Sequence, residues 1–188
     1  MNGAIKLKEA LLIVDYVNDF VSDDGRLSCG KVGQEIEKNI VQVIKHHAAS
    51  GHAIISIVDK HDCEDTYNKE VNMFNAHCFN EEGRRLYGDV FCAFAQVPKN
   101  QRFDLDKIRY SAFCGTPLDL KLRERNVQRV NIVGVCTDIC VLHTAIDAYN
   151  LGYDISIYKD CVASFNAQGA SFALEHMENC LGAQLLMK

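Results

Sequence analysis

V-N-I-V-G-V-C-T-D-I-C-V-L-H-T-A-I-D-A-Y-N, residues Val130–Asn150, is the stretch from which the fold can be read. Val130 to Val135 is a β-branched apolar run of strand length. From Cys140 to Tyr149 the apolar residues fall at 141, 142, 145, 146 and 149, the spacing of a helix with one buried face. The turn between them is Cys136–Thr137–Asp138. Thr137 and Asp138 are residue types that accept hydrogen bonds from the free N–H groups of a first helical turn, so the pattern predicts Cys140 at a helix start. There the unpaired N–H groups and the positive dipole end favour thiolate over thiol, which makes Cys140 a candidate nucleophile. The competing use of such a residue is as a small buried apolar group, so the rest of the chain must decide.

Working outward, Ala10 to Val14 is a continuous apolar run ended by Asp15, as expected of a strand buried on both faces. Asp23–Asp24–Gly25 marks a turn, and Val32, Ile36, Ile40, Val43, Ile44 and Ala48 predict a helix over 32–50, closed by Gly51. A second apolar strand, Ala53 to Val58, also ends in an aspartate, Asp59. Strand, helix and strand make a βαβ unit with parallel pairing and a right-handed crossover. Asp15, Asp59 and Cys140 therefore share one sheet edge, the carboxyl edge where open α/β sheets bind ligands.

Residues 59–88 have little periodicity and many polar groups, but Tyr67, Phe74, Phe79 and Tyr87 argue against disorder. Asp59 and His61 leave the strand as alternate residues able to face one point, and Glu70 and His77 can complete a site of hard-to-borderline ligands. His46, His47 and His52 flank a helix end and read as exposed. A short strand is expected over 91–97, a loop at Pro98–Asn100, and a helix over 118–125 introduced by Thr116–Pro117. Lys107, just before an aromatic-rich segment, reads as a solvated residue from spacing alone. Tyr153 to Tyr158 reads as a further strand, 168–179 as the last helix and 183–186 as a terminal strand. The alternation predicts one α/β domain over 1–188: three layers, α/β/α, around a mostly parallel, doubly wound, Rossmann-like sheet.

Composition narrows the function classes. The 188 residues are 48% apolar, enough for a sizeable core, and carry a net charge of −5 with no basic run, so no footprint for nucleic acid or an anionic membrane appears. No apolar run approaches a membrane span, and Met1 to Ala10 lacks the apolar core of a secretory signal, so a cytoplasmic protein is expected. The nine cysteines include no C-x-x-C pair and are read as reduced thiols.

Four blocks then carry a resemblance: V-D-x-x-N-D-F at Val14–Phe20, D-x-H at Asp59–His61 with His77–Cys78 downstream, K-x-x-Y-S-A-F at Lys107–Phe113, and G-V-C-T-D-I-C-V at Gly134–Val141. Together they resemble the isochorismatase-like cysteine hydrolases over nearly the whole chain, and within them are most similar to the streptococcal-type nicotinamidases. The resemblance implies Cys140 as nucleophile, Asp15 as acid/base and Lys107 as the third member of a triad. It implies the backbone N–H groups of Cys136 and Cys140 as the oxyanion hole, with a cis peptide before Cys136. Asp59, His61, Glu70 and His77 would surround one divalent metal ion, Zn first and Mn or Fe as alternatives, that receives the ring nitrogen of nicotinamide. Phe20, Phe74 and Tyr110 would line the ring pocket. A homo-oligomer and a place in NAD salvage are implied too.

Tyr16–Val17 stands where such enzymes often have Met-Gln, and F-N-E-E-G-R-R-L-Y follows Cys78 in place of a G-T-x-G-A pattern, so local pocket contacts are expected to differ. Two other readings remain at this stage. A relative acting on a carbamoyl or ureido compound would lack the four-ligand metal pattern. A non-enzymatic metal or thiol sensor would have no use for Lys107.

Overall fold

The computed structural model describes residues 8–74 and 76–188; the expected lack of a signal segment rests largely on residues 1–7, which lie outside them. Six strands form one parallel sheet: β1 Glu9–Val14, β2 Ala53–Asp59, β3 Arg102–Lys107, β4 Arg129–Val135, β5 Asp154–Ala163 and β6 Gln184–Leu186, in the order β3-β2-β1-β4-β5-β6. The order reverses between β1 and β4. A doubly wound sheet opens its ligand crevice at that switch point, beyond the carboxyl ends of the strands.

The sheet is covered on both faces, which explains the unbroken apolar runs. Along β1, Ala10, Leu12 and Val14 join one core with Leu118, Leu122, Ala145, Ala148 and Met177, while Leu11 and Ile13 join the other with Ile40, Ile44, Val90 and Phe94. The helices Leu118–Glu124, Leu142–Asn150 and Ala167–Leu181 thus cover one face, and Glu37–Ala49 with Gly88–Gln96 the other. At the switch point Val14 pairs with Gly134, whose φ is 121° and where a Cβ would lie 1.9 Å from the Val14 carbonyl oxygen. Only glycine fits there, so Gly134 lets the two strands that deliver Asp15 and Cys140 lie side by side.

Three local expectations are corrected. The single helix over 32–50 is two, Lys31–Glu35 and Glu37–Ala49, because the Gly33 carbonyl accepts a hydrogen bond from the Tyr16 hydroxyl at 2.7 Å instead of continuing the helix. The segment 91–97 is not a strand; it lies in the helix Gly88–Gln96, with Val90, Ala93, Phe94 and Val97 buried at spacings of three, four and seven. β3 was not anticipated. It is an edge strand with exposed Asp104 and Asp106 alternating with buried Leu105 and Lys107, so a lysine occupies a position where an apolar residue is the usual signal. Among the described residues, no helix is long and apolar enough to cross a membrane.

Candidate active site

Four neighbouring strands end at one place. Asp15 follows β1, Asp59 closes β2, Lys107 closes β3 in register with Asp59, and Cys136 and Cys140 follow β4. Lys107, expected in solvent, is 1% exposed, with Asp15 at 1% and Asp59 at 2%. Its ammonium lies 2.7 Å from Asp15 Oδ2, pairs with Asp59 Oδ1, and lies 3.7 Å from Cys140 Sγ. Asp15 also accepts a hydrogen bond from the Asp59 backbone N–H at 3.0 Å and holds a positive φ of 52°. One ligand atom each of Asp15, Asp59 and Cys140 falls within 4.8 Å of the others.

The charges follow from this packing. Burial alone would neutralise Lys107, but Asp15, Cys140 and Asp59 hold its pKa well above the usual lysine range, so it remains a cation. Burial raises the Asp59 carboxyl, yet Lys107 and His61 outweigh it and hold the group below the usual range. Asp15 is pushed up to about 7, first by burial and then by Asp59, with Lys107 opposing. The Cys140 thiol is raised well above its ordinary value by burial, against the pull of Lys107.

This corrects the helix-start argument. Thr137–Val141 is a π-helical turn in which Thr137 Oγ1 and Asp138 Oδ1 are buried without hydrogen-bond partners, so neither side chain caps as expected. Burial favours the neutral thiol at Cys140, and Asp15 shares the Lys107 ammonium with it.

The carboxylate of Asp59 links this triad to a second cluster. While Oδ1 meets Lys107, Oδ2 lies 3.7 Å from His61 Nε2 and 4.0 Å from His77 Nε2; His61 Nε2 is also 3.6 Å from Glu70 Oε2. Asp59, His61, Glu70 and His77 are all buried, and their ligand atoms lie within 4.8 Å of one another. Separations of 3.6–4.0 Å are too long for hydrogen bonds but suit atoms arranged around a shared cation. His61 Nε2 is buried without a hydrogen-bond partner, so the donor set fits a divalent ion of borderline character.

A cavity of about 420 Å³ opens onto both clusters. Cys136, Cys140, Val135 and Ile139 form one wall, Asp59, Glu70 and His77 another, and Phe20, Phe74, Tyr110, Leu27 and Phe165 supply apolar surface. The peptide bond Val135–Cys136 is cis, as the resemblance implied, and the Cys136 carbonyl accepts from the N–H groups of Ile139 and Val141 at 3.1 and 3.2 Å.

An isochorismatase domain model matches residues 9–187. The chain belongs to the isochorismatase family. A Bacillus subtilis (strain 168) relative, named uncharacterized isochorismatase family protein PncA, is 45% identical over 181 residues, which span 95% of this chain and 99% of the relative. The pyrazinamidase/nicotinamidase from Streptococcus mutans UA159 is 45% identical with a TM-score of 0.92, covering 95% of this chain and 100% of that one. The pyrazinamidase of Pyrococcus horikoshii, solved in complex with zinc, is 27% identical with a TM-score of 0.82, covering 96% and 99%.

In this isochorismatase-family chain Phe20, Asp59, Glu70, Phe74, His77, Tyr110, Cys136 and Cys140 line one cavity, while Asp15, Lys107 and His61 do not line it but lie buried against Asp59; the groups that support them are not marked by any motif of the sequence. The Asn68 side-chain amide lies 3.0 Å from His61 Nδ1, and its oxygen accepts from the Glu70 N–H at 3.0 Å, so one buried side chain orients two members of the second cluster. Asp19 Oδ2 accepts from the Cys78 N–H at 2.7 Å and holds the turn after His77. An asparagine nine residues after Asp59 opening a short helix was the available signal. Because such supporting groups tune ligand affinity, Asn68→Ala is expected to weaken divalent-metal binding about 10–100-fold, read by zinc titration.

Proposed function

We propose that this chain is a metal-containing cysteine amidohydrolase that converts nicotinamide to nicotinate and ammonia through a thioester at Cys140. The observation that carries the proposal is Lys107: a buried cation shared by Asp15, Asp59 and Cys140, behind a cavity whose other wall holds Asp59, Glu70 and His77. That arrangement suits amide cleavage. Asp15 accepts the thiol proton as Sγ bonds to the carboxamide carbon. The resulting oxyanion is met by the backbone N–H groups of Cys136 and Cys140. Collapse breaks the C–N bond, and Asp15 returns its proton to the departing ammonia. Water then adds to the thioester with Asp15 as base again, releasing nicotinate and regenerating the thiol. Throughout, Lys107 keeps Asp15 and the transient thiolate from facing each other as bare anions.

Asp59, His61, Glu70 and His77 are assigned to one divalent ion, with zinc favoured and manganese or iron suited to the same ligands. Bound, that ion supplies a Lewis-acidic anchor for the ring nitrogen. Phe20, Phe74 and Tyr110 are assigned to the flat faces of the ring, a role their cavity positions support. We also take residues 1–188 as one domain acting on free nicotinamide in the cytoplasm, as a step of NAD salvage.

The test is release of ammonia and nicotinate from nicotinamide, before and after chelation. Metal-replete enzyme is expected to turn over, and chelation to lower kcat/KM at least ~10-fold, restored by zinc, because the ring loses its anchor. Turnover of a ureido compound but not nicotinamide would overturn the substrate assignment.

A further inference from the structure

At the opposite, amino edge of the sheet lies a group of side chains that the proposed reaction does not use. Glu9 opens β1, His52 precedes β2, and His47 sits in the last turn of the helix Glu37–Ala49. Each offers one ligand atom, and these atoms all lie within 4.8 Å of one another. His47, read from sequence as exposed, is 1% exposed.

We propose that Glu9, His47 and His52 form a second metal site, selective for a first-row divalent transition ion such as zinc. The Nδ1 atoms of His47 and His52 share a hydrogen bond at 2.9 Å, and an ion bound between them would take the place of the shared proton. A tetrahedral zinc with bonds of about 2.0–2.1 Å places two imidazole nitrogens about 3.3–3.4 Å apart, so the rings need to part by only a few tenths of an ångström to share an ion. Two further polar atoms are held as supporting groups hold a ligand: His47 Nε2 meets the Tyr158 hydroxyl at 3.2 Å, and Glu9 Oε2 accepts from the Asn131 amide at 2.9 Å.

The surroundings select the type of ion. Glu9 and His52 line a cavity of about 470 Å³ that also carries Lys8 and Arg125 and through which an ion can enter. One carboxylate against two cations does not suit calcium or magnesium, which rely on oxygen ligands and anionic charge. Imidazole coordination must supply the affinity, and that favours zinc, nickel or copper. An ion there would tie the helix end to the starts of β1 and β2.

Equilibrium dialysis of the full chain against micromolar zinc, followed by metal counting, tests the site. His52→Ala, and His52→Gln as a gentler change, should each bind one zinc fewer than wild type while releasing ammonia from nicotinamide at the wild-type rate. Zinc should also raise the thermal midpoint of wild type more than that of either variant. Because the count is a difference, it is independent of the ion assigned to Asp59, His61, Glu70 and His77. Equal zinc counts in wild type and both variants would overturn the proposal.

Discussion

Cys140→Ala is expected to lower ammonia release from nicotinamide by at least ~10³-fold, because it removes the thiol that sits beside Lys107 and forms the acyl intermediate. The fold should survive: the change removes one sulfur from a buried position, and a loss of about 1 kcal/mol or less is expected from the small void left. Cys136 serves as the internal control. Its thiol lines the same cavity but has Ser164 beside it where Cys140 has Lys107, so Cys136→Ala should keep far more activity than Cys140→Ala. Residual turnover in Cys140→Ala near the wild-type rate would remove the nucleophile from the proposal.

Lys107→Met is expected to damage stability and activity together. The ammonium is the cation between Asp15 and Asp59, and its removal leaves two buried carboxylates facing each other. Breaking such a buried arrangement costs about 3–5 kcal/mol, which for a chain of this size lowers the thermal midpoint by roughly 6–20 °C. The sign for Asp15 is also determined. Lys107 opposes burial there, so without it the carboxyl rises above about 7, is protonated at neutral pH, and no longer accepts the thiol proton. Activity should fall at least ~10²-fold, the contribution of a positioned base. Calorimetry with an ammonia assay checks both. A Lys107→Met protein with wild-type midpoint and rate would remove this lysine from the mechanism.

What could be read from sequence follows what is local. β1, β2 and β4 announce themselves because they are buried on both faces, and the aspartates and cysteine that end them mark one edge without any knowledge of the partners. β3 stays hidden because it is an edge strand whose inward position is Lys107, and a lysine is buried only when carboxylates from strands far away in sequence come to meet it. The same holds for His47, whose Tyr158 partner is 111 residues distant. The turn at Cys140 was legible, but the state of its thiol was not: burial raises its pKa against the pull of Lys107. Asp59, His61, Glu70 and His77 could be offered from sequence as a possible ligand set, but their assignment to one metal came from resemblance, since a D-x-H pair does not by itself select two further ligands from a stretch of low periodicity.

The central claim is covalent catalysis at Cys140, and rapid acid quench of metal-replete enzyme turning over nicotinamide, followed by mass analysis of its peptides, addresses it most directly. A nicotinoyl group on the Cys140 peptide, formed within one turnover, lost as nicotinate appears and converted to the hydroxamate when hydroxylamine is present, is the expected result. Turnover with no acylated Cys140 and no hydroxamate would contradict it.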